Sequence, residues 1–156
     1  MTEANLAEPF KTFLPDDDAT TAFGAQLAAD LQGGDIVSLE GDLGAGKTAL
    51  ARAIIRALAD DPALEVPSPT FAIVQPYETG RGAVLHADLY RLSDASEVDE
   101  LGLLDDESAI VLVEWAARVP EMAARANVVV TLDIPPGGAG RTALVTRRGE
   151  IVSRSI

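Results

Sequence analysis

The stretch Glu40–Ile54, EGDLGAGKTALARAI, is the most informative part of this chain. Its segment from Gly41 to Thr48 fits the pattern G-x-x-x-x-G-K-[ST] without a gap. A short, apolar and β-prone run at 35–40 precedes it, and leucine or isoleucine recurs every fourth residue over 50–58. This arrangement predicts a strand, a glycine-rich turn and an amphipathic helix that runs to about Asp60.

The residue types in this loop favour phosphate binding. Glycines let successive backbone N–H groups turn towards phosphates, a lysine adds a mobile positive charge, and a Thr hydroxyl can ligate magnesium where the helix begins. One of only two lysines in the chain, Lys47, occupies the position for which the arginine fork is too bulky and rigid. The alternative is a plain strand-to-helix turn with a solvent-facing lysine. The predicted nucleotide-binding residues here are Gly41, Asp42, Leu43, Gly44, Ala45, Gly46, Lys47, Thr48 and Ala49.

Two carboxylates stand at the ends of predicted strands. Asp88 follows AVLHA, and Glu114 follows the apolar run IVLV. Because strands deliver their last residues to the edge where ligands bind in open α/β folds, both side chains can reach the phosphates. Each carboxylate could equally be an ordinary solvated charge, and the sequence leaves open which of the two orients the attacking water. His86, two residues before Asp88, is predicted to be a structural histidine.

Two other residues are weaker candidates for the site. Thr70 lies in the Ser-Pro-Thr turn of VPSPTFAIV, which presents a hydroxyl as a switch loop does. Trp115 follows Glu114 directly, so strand alternation predicts that its ring points to the opposite side of the strand. It can cover a base, contact a partner or pack at the rim.

The remaining segments predict an α/β fold. An amphipathic helix, capped by Asp18 or Thr20, ends before Gly33-Gly34, and apolar runs flank the turns ETGRG and PPGGAGR as two hairpins. The run AIVLVEW is typical of a strand buried on both faces. We therefore expect a single P-loop NTPase-like domain over 1–156. Its central sheet is mixed, parallel plus antiparallel, is flanked by helices and has the strand before the glycine loop at its centre.

Composition limits the partners and the chemistry. With 25 acidic and 12 basic residues the formal net charge is -13, which repels nucleic-acid phosphates, so we expect no DNA partner and only an indirect RNA role. The absence of cysteine excludes thiolate nucleophiles and cysteine-ligated metals, and one histidine is too few for a histidine-built metal site. No run of eighteen apolar residues and no signal-peptide pattern occur, which favours a cytoplasmic protein without a membrane partner.

Four segments together carry a family resemblance: GDLGAGKT, SPTF, HADLYRL and LVEWAARVPE, in this order and spacing. They closely resemble the TsaE (YjeE) family, bacterial P-loop ATPases of the tRNA threonylcarbamoyladenosine pathway. The resemblance implies a protein that binds ATP and Mg2+, joins the TsaB–TsaD complex and supports repeated threonylcarbamoyl transfer to an adenosine of certain tRNAs. The partners would hold the tRNA.

The resemblance also implies roles for individual residues. Thr48 and Glu114 match magnesium ligands, Asp88 matches an acidic residue important for hydrolysis, and Lys47 completes the catalytic set. Arg141 resembles a late arginine near the nucleotide. The predicted adenine-side residues are Asp17 and Thr20, and the predicted switch or partner contacts are Thr70 and Trp115.

Three other functions compete with this interpretation. A small-molecule kinase uses the same loop, but the stretch after Glu114 carries only Arg118 and Arg125 and is short for a lid. A nucleotide-dependent binding module without significant turnover is distinguished poorly by sequence. A GTPase is disfavoured because no N-K-x-D motif is present. An arginine finger could come from Arg91, Arg118, Arg141 or a partner.

Overall fold

A seven-stranded mixed sheet organises the chain in the computed structural model, which describes residues 9–67, 74–92 and 96–147. Thr70 and its Ser-Pro-Thr turn lie outside these residues. The elements, in chain order, are β1 (Phe10–Leu14), α1 (Asp17–Asp30), β2 (Ile36–Glu40), α2 (Lys47–Ala59), β3 (Val74–Thr79), β4 (Gly82–Asp88), α3 (Glu97–Glu100), β5 (Ile110–Glu114), a 3₁₀ helix (Ala116–Arg118), α4 (Pro120–Arg125), β6 (Val128–Asp133) and β7 (Arg141–Arg147).

The strand order is β1-β7-β6-β2-β5-β4-β3, so β2 lies at the centre. It pairs in parallel with both β5 and β6, and β4 pairs in parallel with β5. The pairs β1–β7, β6–β7 and β3–β4 are antiparallel. This topology confirms the predicted α/β class, the mixed sheet, both hairpins and the central position of the strand that precedes the glycine loop.

Helices and loops cover both faces of the sheet. On one face α1 and α2 pack against each other and against the strands, with Leu50, Ile54 and Leu58 buried as their four-residue spacing predicts. On the other face Val113 of β5 and Met122 of α4 belong to a second apolar cluster. All five residues of β5 are buried, which is the pattern expected for a parallel strand covered on both sides.

The amino end of β2 is fixed by a polar contact rather than by apolar packing alone. The Asn127 side chain donates from Nδ2 to Asp35 Oδ1 at 2.8 Å and accepts the Ile36 N–H at 2.7 Å. The Gln32 N–H donates to the second Asp35 oxygen at 2.9 Å. These bonds join the turn before β2 to the residue before β6, which holds the register that carries β2 to the glycine loop.

Helix α1 starts earlier than the predicted caps imply, by two residues for Asp18 and by four for Thr20. Asp16 is the N-cap: its backbone is extended, and its Oδ1 accepts the Ala19 N–H at 2.9 Å. The prediction of Asp18 or Thr20 as the cap was wrong, because both residues lie inside the helix, at its second and fourth positions. Among the described residues, no helix is long and apolar enough to cross a membrane.

Candidate nucleotide-binding site

The glycine loop leaves the carboxyl end of β2 and enters α2 at Lys47, in the arrangement that the motif predicts. Gly46 is the N-cap of α2 and has a left-handed backbone, with φ of 104°. At Gly41, φ is 147°, and a Cβ there would lie 2.5 Å from the carbonyl oxygen of Leu132. Glycine is therefore required at Gly41 both for the backbone angle and for the close approach of β6.

Lys47 is almost fully buried, with 5% of its surface exposed. Its Nζ donates to the carbonyl oxygens of Gly41 at 2.6 Å and Asp42 at 2.9 Å, and it lies 4.3 Å from the centroid of the Trp115 ring. Burial lowers the pKa of the Lys47 ammonium, and the negative charge of Glu114 opposes this effect. An ammonium has three N–H donors, so one donor remains for a ligand beyond the two loop carbonyls.

Thr48 joins the first turn of α2 to the end of β5. Its hydroxyl lies 2.9 Å from Oε1 and 3.0 Å from Oε2 of Glu114, whose carboxylate is buried. The second of these oxygens also lies 2.7 Å from His86 Nε2 on the neighbouring strand β4. A buried carboxylate needs such partners because an unpaired buried charge is costly. Two residues 66 positions apart in sequence therefore meet beside the glycine loop.

Asp88 lies next to Glu114 because β4 and β5 pair in parallel with these two residues in register. Its Oδ1 accepts the Tyr90 N–H at 2.9 Å. Burial raises the pKa of the Asp88 carboxyl, the hydrogen bond from Tyr90 opposes that rise, and the charge of Glu114 adds to it. The two carboxylates predicted at strand ends thus lie side by side, in different environments.

The prediction that the Trp115 ring points away from the site was wrong. The strand ends at Glu114, and Trp115 has a left-handed backbone with φ of 61°, so strand alternation no longer applies. Its ring lies over Lys47 Nζ and contacts Tyr90 at a centroid distance of 4.8 Å. The Arg118 guanidinium lies 5.0 Å from the other ring of this pair. A bulky residue with positive φ is rare and is found most often at functional sites.

The Arg141 side chain binds backbone carbonyl oxygens of the glycine loop. Its Nε donates to Ala45 O at 3.2 Å and its Nη2 to Gly44 O at 3.0 Å, while Nη1 donates to Gly140 O at 2.6 Å and Gly138 O at 3.4 Å. Four of the five guanidinium N–H groups therefore bind carbonyl oxygens. Arg141 therefore joins the loop to the turn before β7. Only one of its guanidinium N–H groups remains for other contacts, which disfavours a role as an arginine finger.

A cavity of about 190 Å³ lies beside the loop and brings several predicted residues together. Asp17, Thr20, Ala49 and Arg141 all line it, together with Gly46. A larger cavity of about 510 Å³ extends along α1 and α2, and its lining includes the first three of these residues. The smaller cavity is apolar at Leu14 and Leu132, which suits the flat face of a base.

The donor set fits Mg2+ held together with a nucleotide. Within 9–67, 74–92 and 96–147, no group of three or more His, Cys, Asp or Glu side chains is arranged to hold a metal by itself. Mg2+ is usually bound through one or two carboxylates plus substrate phosphates and water. Thr48 and Glu114 supply oxygen ligands of this kind directly beside the loop, at the amino end of α2, where anions are also favoured.

The sequence did not assign two residues to the site. His86 was predicted to be a structural histidine, and it is fully buried and hydrogen-bonded to Glu114; its position two residues before Asp88, on the same strand face, was the signal for this contact. Tyr90 contacts Trp115 with the two rings tilted by 48°, and nothing in its local sequence indicates that contact. Leu43, at the tip of the loop, is 67% exposed and contributes no buried contact.

A glycine loop between a central parallel strand and a helix, with carboxylates at the ends of neighbouring strands, defines a P-loop nucleoside triphosphatase fold. The family model described as threonylcarbamoyl adenosine biosynthesis protein TsaE matches residues 14–142. The chain belongs to the TsaE family of tRNA threonylcarbamoyladenosine biosynthesis.

Individual relatives agree with this assignment. The chain is 43% identical to the TsaE protein of Synechocystis over 116 residues, which are 70% of this chain and 72% of the relative. It is 38% identical to the TsaE protein of Mycobacterium bovis over 130 residues, 77% of this chain and 76% of the relative. The crystal structure of Bacillus subtilis YdiB superposes with a TM-score of 0.69 at 25% identity, covering 91% of this chain and 87% of that one.

Proposed function

We propose that this chain is a Mg-dependent ATPase of the tRNA threonylcarbamoyladenosine pathway, that it acts with TsaB and TsaD, and that residues 1–156 form one P-loop domain. The observation that carries the proposal is the contact between Thr48 and both oxygens of the buried Glu114 carboxylate. This contact places an oxygen pair suited to Mg2+ beside a lysine-bearing phosphate loop.

The chain's own groups divide the work of phosphoryl transfer. Lys47 and the loop N–H groups hold the β- and γ-phosphates, and Thr48 with Glu114 holds Mg2+. Bound Mg2+ supplies neutralisation of the charge that develops on the phosphate oxygens. We assign the orientation of the attacking water to Asp88, because Glu114 is engaged by Thr48 and His86, and because burial raises the pKa of the Asp88 carboxyl, which favours its action as a base.

The base of ATP is proposed to occupy the smaller cavity beside the loop. Asp17 and Thr20 line this cavity at the start of α1, and Ala49 lines it from the first turn of α2. Arg141 closes the same cavity while binding the loop carbonyls, so we propose that it orders the loop next to the nucleotide. No side chain is assigned to reading the base edge.

The acidic charge supports an indirect role on RNA. At a formal net charge of -13 the chain repels tRNA, so TsaB and TsaD would hold the tRNA and this chain would supply nucleotide-driven turnover. The contacting side chains of Trp115, Tyr90 and Arg118 connect the buried lysine to an exposed surface, and we propose them as the partner contact. Thr70 stays a prediction as the switch residue.

The test is ATP turnover by the purified chain, alone and with TsaB and TsaD. We expect slow turnover alone, strong stimulation by the partners, and loss of both in Lys47→Ala. Lys11→Ala is the matched control, since it removes the chain's other lysine, an exposed residue on the edge strand β1, and should turn over normally. An ATP turnover rate that is the same with and without TsaB and TsaD would overturn the proposed partnership. Nucleotide binding with no turnover under any condition would favour a binding module.

A further inference from the structure

His86 is the only histidine of the chain, and it lies in an unusual environment. It is fully buried in β4, with 0% of its surface exposed, and its Nε2 lies 2.7 Å from Oε2 of Glu114. Its register partners are Leu112 on β5 and Gln75 on β3. Among the described contacts, the imidazole has one polar partner, the Glu114 carboxylate.

The geometry of this contact determines which ring nitrogen carries the proton. An ionised carboxylate only accepts hydrogen bonds, so the Nε2–H of His86 must donate to Glu114. In the part of the chain that the structure describes, His86 Nδ1 is buried without a hydrogen-bond partner. A buried N–H without an acceptor is rarer and costlier than an unused acceptor, which favours the same tautomer, with Nδ1 unprotonated.

This tautomer makes the two oxygens of Glu114 unequal. Thr48 has a single O–H, which lies 2.9 Å from Oε1 and 3.0 Å from Oε2, whereas the His86 N–H reaches Oε2 alone. The carboxylate is thus held by His86 through Oε2, and Oε1 lies nearer to Thr48, the other proposed magnesium ligand.

We propose that His86 is a positioning residue that holds Glu114 through its Nε2–H so that Oε1 faces Mg2+ bound with ATP. The inference rests on the proposed function, because it assigns to Glu114 the role of magnesium ligand. Carboxylates that bind metals are themselves commonly held by hydrogen bonds, and loss of such a partner typically weakens metal binding by about 10- to 100-fold. A purely structural histidine would have no such selective effect on magnesium.

The first experiment separates magnesium binding from nucleotide binding. The affinity for a fluorescent ATP analogue is measured with Mg2+ and with EDTA, in wild type, His86→Gln and His86→Phe. Glutamine keeps an N–H donor near the Nε2 position, whereas phenylalanine fills the volume without one. We expect His86→Phe to lose about ten-fold or more of the gain in affinity that Mg2+ gives, with unchanged affinity in EDTA. His86→Gln should recover most of that gain.

Two results of this experiment would overturn the proposal: a full magnesium gain in His86→Phe, or equal weakening with Mg2+ and with EDTA. Failure of the proposed function looks different, because wild type would then bind the analogue no better than Lys47→Ala does.

A second measurement needs no variant and so does not depend on whether His86→Phe folds. In tag-free protein labelled with ¹⁵N-histidine, the single histidine gives only two ring-nitrogen signals. We expect a protonated Nε2 and an unprotonated Nδ1, and a shift of the Nε2 signal when Mg2+ and the ATP analogue are added. A protonated Nδ1, or an Nε2 signal that Mg2+ leaves unchanged while the analogue binds, would refute the assignment.

Discussion

Replacement of Gly41 by alanine should destabilise the nucleotide-free protein more than the same change at Gly44. At Gly41 the backbone has φ of 147°, and the new Cβ would lie 2.5 Å from the carbonyl oxygen of Leu132 and 3.0 Å from the Ala45 Cβ. At Gly44, φ is 83°, but no atom lies within 4 Å of the new Cβ. Both variants are therefore destabilised by an unfavourable backbone angle, and only Gly41→Ala also has a steric clash.

The magnitudes follow from these two effects. A strained backbone angle costs about 1–3 kcal/mol in either variant. Insertion of an atom into a filled space costs roughly 1–3 kcal/mol more, and only at Gly41. Since about 1 kcal/mol corresponds to roughly 2–4 °C for a chain of this size, Gly41→Ala should melt roughly 2–12 °C below Gly44→Ala.

The assay is thermal unfolding followed by circular dichroism, in EDTA and without nucleotide, with urea unfolding to give the free energy. Gly44→Ala is the matched control because it changes the same loop by the same methyl group. Equal melting temperatures for the two variants would show that β6 does not press on the loop as the close approach of Leu132 requires.

Two further predictions concern Asp88 and Arg141. Because burial raises the pKa of Asp88 above its unfolded value, the charged form costs stability above the folded pKa, and that cost disappears as the pH falls below both values. Asp88→Asn should therefore raise the melting temperature of the nucleotide-free protein at about pH 8, and the gain should shrink as the pH falls through the folded pKa towards about pH 4; a lower melting temperature at neutral pH would contradict this. Arg141→Lys keeps the charge but cannot bind four carbonyls at once, so it should weaken binding of the ATP analogue by about ten-fold, equally with Mg2+ and with EDTA; loss confined to Mg2+ would contradict the role in loop order.

The elements around the glycine loop could be predicted because their signals are local. Leu50, Ile54 and Leu58 lie on one helix face by spacing alone, and the unbroken apolar run of β5 indicates burial on both sides. The loop motif itself then fixes the order of strand, turn and helix. These features depend on residues within about one turn or one strand of each other, so no knowledge of the pairing was needed.

The remaining features depend on which strands become neighbours. His86 and Glu114 are 28 positions apart in sequence and meet only because β4 and β5 pair in parallel. No local pattern encodes that pairing. The predicted direction of the Trp115 side chain was wrong for a different reason. The left-handed backbone of Trp115 ends the strand alternation directly after Glu114, and a tryptophan does not signal such a backbone angle.

The cap of α1 shows a third limit. Three consecutive aspartates, at 16–18, all have side chains that can accept N–H groups at a helix start. Asp16 is the cap because the chain leaves β1 through Pro15 with an extended backbone, and helical angles begin only at Asp17. Composition alone cannot choose among three equivalent acceptors, since the choice depends on where the preceding strand ends.

Two cationic side chains bind the carbonyl oxygens of the glycine loop from different sides. Lys47 binds two of them and Arg141 binds two others. The four carbonyl oxygens belong to Gly41, Asp42, Gly44 and Ala45. In a trans peptide the N–H points opposite to its carbonyl, so each bound oxygen also orients the next amide.

This arrangement would allow a strongly acidic chain to present the proposed phosphate site. Of the amides oriented in this way, the Ala45 N–H is already bonded to Asp42 O, which leaves those of Asp42, Leu43 and Gly46 pointing away from the two cations. Oriented amides act at hydrogen-bond distance, whereas charges elsewhere on the surface are screened beyond about 8–10 Å at physiological salt. These amides, with the amino end of α2 behind them, therefore favour an anion locally in a chain whose net charge is -13. An Arg141 variant that keeps its charge but releases the carbonyls separates these two effects.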